Sequence, residues 1–415
     1  MVKFERMVLK NGLTVIVNYD NTTPLVAMNI LYKVGARNED ESKTGFAHLF
    51  EHLMFGGSVN IASYDEPLQR AGGENNAFTN NDFTNYYLTI PTQNLETGFW
   101  LESDRMLSLA FSEKSLEVQR SVVIEEFRQR YLNQPYGDVW LNLRPLAYKQ
   151  HPYKWATIGK EISHIENAVM DDVKDFFYTW YRPNNAILTL SGNVQPDQAF
   201  ALSEKWFGDI VSADIPSAAW PKEPAQAERR TMSLEKDIPA SAIYKAYHAV
   251  SRYHKNFHAT ELLADVLSGS KSSRLYQSLV KDKKLFSSLQ AYFLGDLDES
   301  LFVIEGHLND EVAMDVAERE IDNELHRISN ELVSEKELTI VCQKTESALV
   351  FSEIGIANRA LNLAYFEMLG DVNLINNQLD TYSKITREQI KDVAATLFVP
   401  TNESVLYYLA KKQEA

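Results

Sequence analysis

The stretch TGFAHLFEHLMFGGS, Thr44 to Ser58, constrains this chain more than any other. Its apolar residues recur at helical spacing, and the paired glycines Gly56 and Gly57 end the run. On that helix, from about Gly45 to Phe55, His48 and His52 stand four residues apart and project from one face, one turn from each other. Glu51, three residues after His48, leans over the same face. Two neutral imidazoles so placed begin a tetrahedral zinc site. A neighbouring carboxylate that is not itself a ligand can take a proton from an attacking water.

Length and composition bound the rest. A chain of 415 residues is too long for one ordinary core, so two domains are expected. Hydrophobic and charged shares of 45% and 24% are those of a globular protein. The formal net charge of -16 argues against nucleic acid, whose phosphates need clustered Lys and Arg. Cys342 is the single cysteine, which excludes an internal disulfide framework and a cysteine-based zinc site. No run of about 18 apolar residues occurs, so no membrane-spanning segment is expected. The opening MVKFERMVLKNGLTVIV has no signal-peptide pattern. The expected location is therefore cytoplasmic, or periplasmic where a leader has been removed.

Along the chain, apolar runs on either side of Asn11-Gly12 predict a hairpin through a type I′ turn. VAMNILY reads as a strand too densely apolar for one exposed face. Helices are expected over 95–110, from Ser112 or Ser115 onward, and over 171–180, with a strand in NAILTLSGNV. Pro216, Pro221 and Pro224 mark a linker over 213–228, separating domains at 1–212 and 229–415. The halves read as a diverged duplication. VKDFFYTWYRPNNAILTL aligns with IKDVAATLFVPTNESVLYYL, and HLMFGGS aligns with ADVLSGS. In that register Thr260, Leu263 and Ala264 replace His48, Glu51 and His52, so the second copy has no zinc chemistry. The fold class is α+β, two related domains each with an antiparallel sheet and helices packed on one side.

Two histidines leave zinc needing a third protein ligand. The helix LEVQRSVVIEEFRQR offers Glu117, Glu125 and Glu126, among which spacing does not choose. A second histidine group, His248, His254 and His258, has no acid at a base position and is read as a surface segment or an interface.

GFAHLFEHLMFGGS, the later NAFT and TNYYLTIP, QRSVVIEE, HPYKWATIG and YRPNNAILTLSGNV occur in the order seen in the pitrilysin/insulysin zinc peptidases. The H-x-x-E-H order is the inverzincin signature, and the resemblance covers essentially the whole chain. It implies one Zn2+ per chain held by His48, His52 and Glu126, with Glu51 as general base. It places Glu117 or Gln119 beside the ligands; relatives have a glutamate where Gln119 stands. It implies that an extended peptide adds as a strand along Asn76, Ala77 and Phe78. Relatives also carry an Arg and a Tyr in the second half that reach the substrate; Val280 and Ser287 occupy those positions here. The resemblance therefore implies half of a clamshell, whose homologous partner lacks the zinc motif and supplies the Arg/Tyr pair. The alternatives are self-association, a non-catalytic assembly subunit, or a targeting-peptide processing subunit.

Overall fold

The computed structural model describes residues 1–217 and 220–411. The chain begins with strands β1 (Glu5–Val8), β2 (Thr14–Tyr19) and β3 (Leu25–Tyr32). Helices α1 (Phe46–Leu53) and α2 (Asp65–Arg70) lead to β4 (Glu74–Thr79) and β5 (Thr84–Pro91). Six helices follow: α3 (Leu95–Leu107), α4 (Glu113–Phe127), α5 (Val139–Ala147), α6 (Ile162–Glu166), α7 (Met170–Trp180) and, after β6 (Ala186–Gly192), α8 (Pro196–Phe207). The later part carries β7 (Arg230–Lys236), β8 (Ala242–His248), α9 (Phe257–Ser268), β9 (Phe286–Phe293) and β10 (Leu301–Leu308). It ends with α10 (Met314–Asn330), α11 (Glu335–Ser352), α12 (Ile356–Met368), α13 (Gln378–Ser383), α14 (Arg387–Leu397) and β11 (Glu403–Ala410).

Two compact units result, one of Met1–Arg128, Trp155–Trp220 and Leu349–Gln378, the other of Gln129–Lys154, Pro221–Ala348 and Leu379–Ala415. The first contains the sheet β1-β2-β6-β3-β5-β4 and the second the sheet β7-β11-β8-β10-β9. Matching β2, β6, β3, β5 and β4 to β7, β11, β8, β10 and β9 gives one strand order. The match extends to the one parallel pair, β2 with β6 and β7 with β11. Both units also run helix, 3-10 turn at a proline, then strand: α7, Pro183–Asn185 and β6 against α14, Pro400–Asn402 and β11. The duplication is thus visible in topology. Each sheet is antiparallel except for that pair, whose members are far enough apart in sequence for the long connection a parallel pairing needs.

The Pro-rich stretch is one boundary among several, since each unit is assembled from three segments of the chain, and the reason is burial. β6 is buried along its whole length and β3 nearly so, which requires cover on both faces. On one face Leu88 and Met28 lie against Gly98 of α3. On the other, Leu363, Ala364 and Phe366 of α12 pack with Ile16, Leu31 and Ile187, and Thr189 donates to the Ala360 carbonyl at 2.7 Å. The second sheet receives Val139, Leu143 and Leu146 of α5 against Ala242, Tyr244, Leu406 and Tyr408. Each sheet therefore recruits a helix from the other segment: α12, within 229–415, covers the first sheet, and α5, within 1–212, covers the second. The Pro-rich stretch is itself pinned: Glu223 accepts the amides of Lys149, Gln150 and His151 at 2.8, 2.8 and 3.0 Å.

The first hairpin departs from a type I′ turn. Leu9 and Leu13 pair at 2.9 Å around a three-residue connection. Only Gly12 of that connection takes positive φ, +89°, whereas type I′ needs two such residues. Among the described residues no helix is long and apolar enough to cross a membrane.

Candidate metal centre

α1 has only two turns and begins without a side-chain cap of its own, at Gly45 with φ +88°. A Cβ there would meet the Ile158 carbonyl at 2.7 Å, so glycine serves both the left-handed backbone and the close approach. Phe46, Ala47, Leu49, Phe50 and Leu53 are buried, which leaves His48, Glu51 and His52 half-buried on the remaining face. Tyr86 donates its hydroxyl to the Phe50 carbonyl at 3.3 Å from beneath. α4 lies along α1, and Gly56 allows it close, since a Cβ at Gly56 would strike Ser115. Ser112 caps α4, accepting the Ser115 amide at 3.1 Å.

This packing brings Glu126 of α4 to the histidines. Its Oε2 lies 3.7 Å from His48 Nε2 and 3.5 Å from His52 Nε2. The two rings stand edge to face, 4.9 Å apart and at 82°. The side chains are 12%, 24% and 18% exposed for His48, His52 and Glu126, so the group is shielded yet reachable. Ligands about 2.0–2.2 Å from a tetrahedral zinc sit about 3.4 Å from each other, close to the separations found. His52 Nε2 is buried without a hydrogen-bond partner, as a nitrogen built for a metal would be. Among the described residues, these three form the one group of His, Cys, Asp or Glu able to hold a metal ion.

Glu51 stands beside this group and outside it. Burial raises its carboxyl above the usual carboxylate range; Thr79 and His52 pull it down, and Glu126 pushes it up. Of the other glutamates weighed from sequence, Glu125 is exposed. Glu117 is 68% exposed and pairs with Arg120 at 3.4 Å. It lies about 13 Å along the helix axis from Glu126, and Gln119 about 10 Å.

β4 is the edge strand of its sheet, pairing with β5 alone, and α1 packs beside it. Asn76, Ala77 and Phe78 face Tyr87, Tyr86 and Asn85 across the ladder. The Ala77 amide is met by its own neighbour, the Asn76 side-chain oxygen, at 2.8 Å. In the second unit Val280 is half-buried in the segment Tyr276–Asp282 and Ser287 is exposed on β9. Arg274 is engaged by Glu337 at 2.7 Å. The other histidine group has structural partners: His248 Nε2 contacts the Ala147 carbonyl at 2.9 Å, His254 accepts the Asn256 amide and His258 meets Glu261 at 3.0 Å.

Two buried acids near α1 were not singled out from the sequence. Glu39 accepts the amides of Gly45 at 2.9 Å and Ala47 at 2.8 Å. Burial raises its carboxyl, while those two amides, one on each oxygen, favour the ionised form. Glu102 pairs with Arg105 inside a cage of Phe55, Tyr64 and Tyr86. A helix starting at Gly45 without its own capping side chain was the available signal for Glu39. Nothing local marks Glu102.

Residues 14–160 match the sequence profile described as Insulinase (Peptidase family M16), and 167–344 match that of the Peptidase M16 inactive domain. A Helicobacter pylori protein named zinc protease PqqE is 34% identical over 342 residues, covering 81% of this chain and 77% of its own. The chain belongs to the M16 peptidase family. The half matching the inactive domain is the one in which Thr260, Leu263 and Ala264 replace the motif. The crystal structure of a protease from Helicobacter pylori superposes on this M16 chain with a TM-score of 0.93 at 29% identity, over 98% of this chain and all of that one. The beta subunit of the Saccharomyces cerevisiae mitochondrial-processing peptidase is 26% identical over 211 residues, 50% of this chain and 45% of its own.

Proposed function

We propose that this M16 chain is a zinc-dependent endopeptidase acting on extended peptides. The observation that carries the reading is the convergence of His48, His52 and Glu126 with Glu51 alongside. His48 and His52 would bind as neutral imidazoles and Glu126 through one carboxylate oxygen. Zinc held there supplies Lewis acidity toward the scissile carbonyl and the attacking water. Glu51 accepts the proton of that water and returns it to the leaving amine. Its place beside the three converging side chains and outside their number suits a group that takes and gives that proton. The edge strand β4 offers Asn76, Ala77 and Phe78 to the substrate backbone as an added strand. Asn76 yields the Ala77 amide when the peptide arrives. Backbone reading of this kind gives broad side-chain tolerance.

The same reading includes a homologous partner. Val280 and Ser287 leave the second unit without the Arg and Tyr expected of it, so a chain carrying that pair would complete the substrate site. The similarity to a protein named as a subunit points the same way. Those missing groups also favour a second reading, a chain that does not cleave alone and serves as an assembly or processing subunit. Peptidase assays on the isolated chain, with and without added zinc, test the first reading. Zinc-dependent cleavage that Glu51→Gln abolishes supports it; cleavage that survives Glu51→Gln or is indifferent to zinc refutes it.

A further inference from the structure

α1 is too short to hold its shape unaided, since isolated helices below about 12 residues are marginal in water. The amides of its first turn have no partners within the helix, and its N-cap residue, Gly45, contributes no side chain. Glu39 meets that need from outside. The residue is 7% exposed, and its carboxylate accepts the Gly45 and Ala47 amides at 2.9 and 2.8 Å, both at the start of the first turn. Glu39 is itself held: Trp155 Nε1 donates to the Ala36 carbonyl at 2.9 Å, fixing the 3-10 turn Ala36–Asn38 that precedes it. Beside it, Thr44 Oγ1 accepts the Lys160 amide at 2.7 Å and contacts His164 Nδ1 at 2.8 Å. Ala47 adjoins His48. The grip on the helix therefore sits one residue from the first of the converging side chains.

We infer that Glu39 is a positioning residue for the metal centre. Its two amide bonds set the rotation and advance of α1, and so decide whether His48 and His52 reach Glu126. This rests on the zinc reading above. Without both acceptors the first turn is free to unwind, and zinc must then reorder it on binding. An amide in place of the acid keeps the volume and one acceptor oxygen, but presents an N–H₂ group to the second backbone amide.

The test measures zinc affinity by chelator competition, with zinc as the only added ligand, for wild type, Glu39→Gln and Glu39→Asp. The apoprotein melting temperature is measured beside it, and the visible spectrum of each protein is recorded with Co2+ replacing zinc. Affinity at least fivefold weaker in Glu39→Gln, with an altered cobalt spectrum, is expected. Glu39→Asp, which keeps two acceptors on a shorter stem, is expected to fall between. Wild-type affinity and an unchanged cobalt spectrum in Glu39→Gln would overturn the inference, and a lowered melting temperature alone would show a purely structural role. Should Glu39→Gln not fold, the same criteria apply to Glu39→Asp. Failure of the wild-type chain to bind zinc would instead remove the metal reading and this inference with it.

Discussion

Gly45 holds φ at +88° with the Ile158 carbonyl 2.7 Å from where a Cβ would stand. Gly45→Ala should therefore destabilise the protein by about 1–3 kcal/mol in urea unfolding, through backbone strain and the clash together. Glu51→Gln should keep bound zinc while lowering kcat at least about 100-fold, the usual scale for removing a general base. Unchanged kcat there would remove Glu51 from the proposed chemistry. At this scale much of the site was legible. His48, Glu51 and His52 announced themselves by spacing, because one helix carries all three. Glu126 did not, since three glutamates on α4 are equivalent in sequence; the resemblance chose Glu126, and the packing of α4 on α1 brings it to the histidines. Glu39 was invisible because its partners are backbone amides, which leave no mark in side-chain pattern.

Besides α1, two helices carry acids with defined partners, α11 at its start and α3 along its buried side. Ser334 and Glu337 form a reciprocal capping box at the start of α11, at 3.2 and 2.8 Å. Burial opposes ionisation of Glu337, but Arg274 and Ser334 outweigh it and hold the carboxyl down at about 2. A pKa lower in the folded than in the unfolded state adds stability above the unfolded value, near 4.3, and loses it as pH falls toward 2. Glu337→Gln should thus flatten the loss of stability between about pH 4.5 and pH 2, read from urea midpoints across that range. The pair Glu102–Arg105 is a stiffer case, with both residues 1% exposed. Arg105→Met leaves an unpaired buried carboxylate and should cost about 3–5 kcal/mol, whereas the double variant with Glu102→Gln should recover part of it. The strand VAMNILY already indicated an element covered on both faces. What sequence could not supply was the covering helix, α12, which arrives from more than 300 residues away.

For the whole molecule, duplication was readable in two short alignments and is repeated in the strand order of both sheets, down to the single parallel pair. The exchange of α5 and α12 between the halves was not readable, because an amphipathic helix carries no address for the sheet it will cover. With Val280 and Ser287 where relatives carry Arg and Tyr, the isolated chain is expected to cleave slowly. A homologous chain that supplies the pair should raise peptidase activity well above the sum of the two alone. High turnover by a monomer would contradict the partner proposal and leave the zinc proposal standing. The central claim concerns the metal, and elemental analysis of the purified chain tests it most directly. The account predicts one zinc per chain in the wild type and its loss in Glu126→Ala; a zinc-free wild type, or full zinc occupancy in Glu126→Ala, would contradict it.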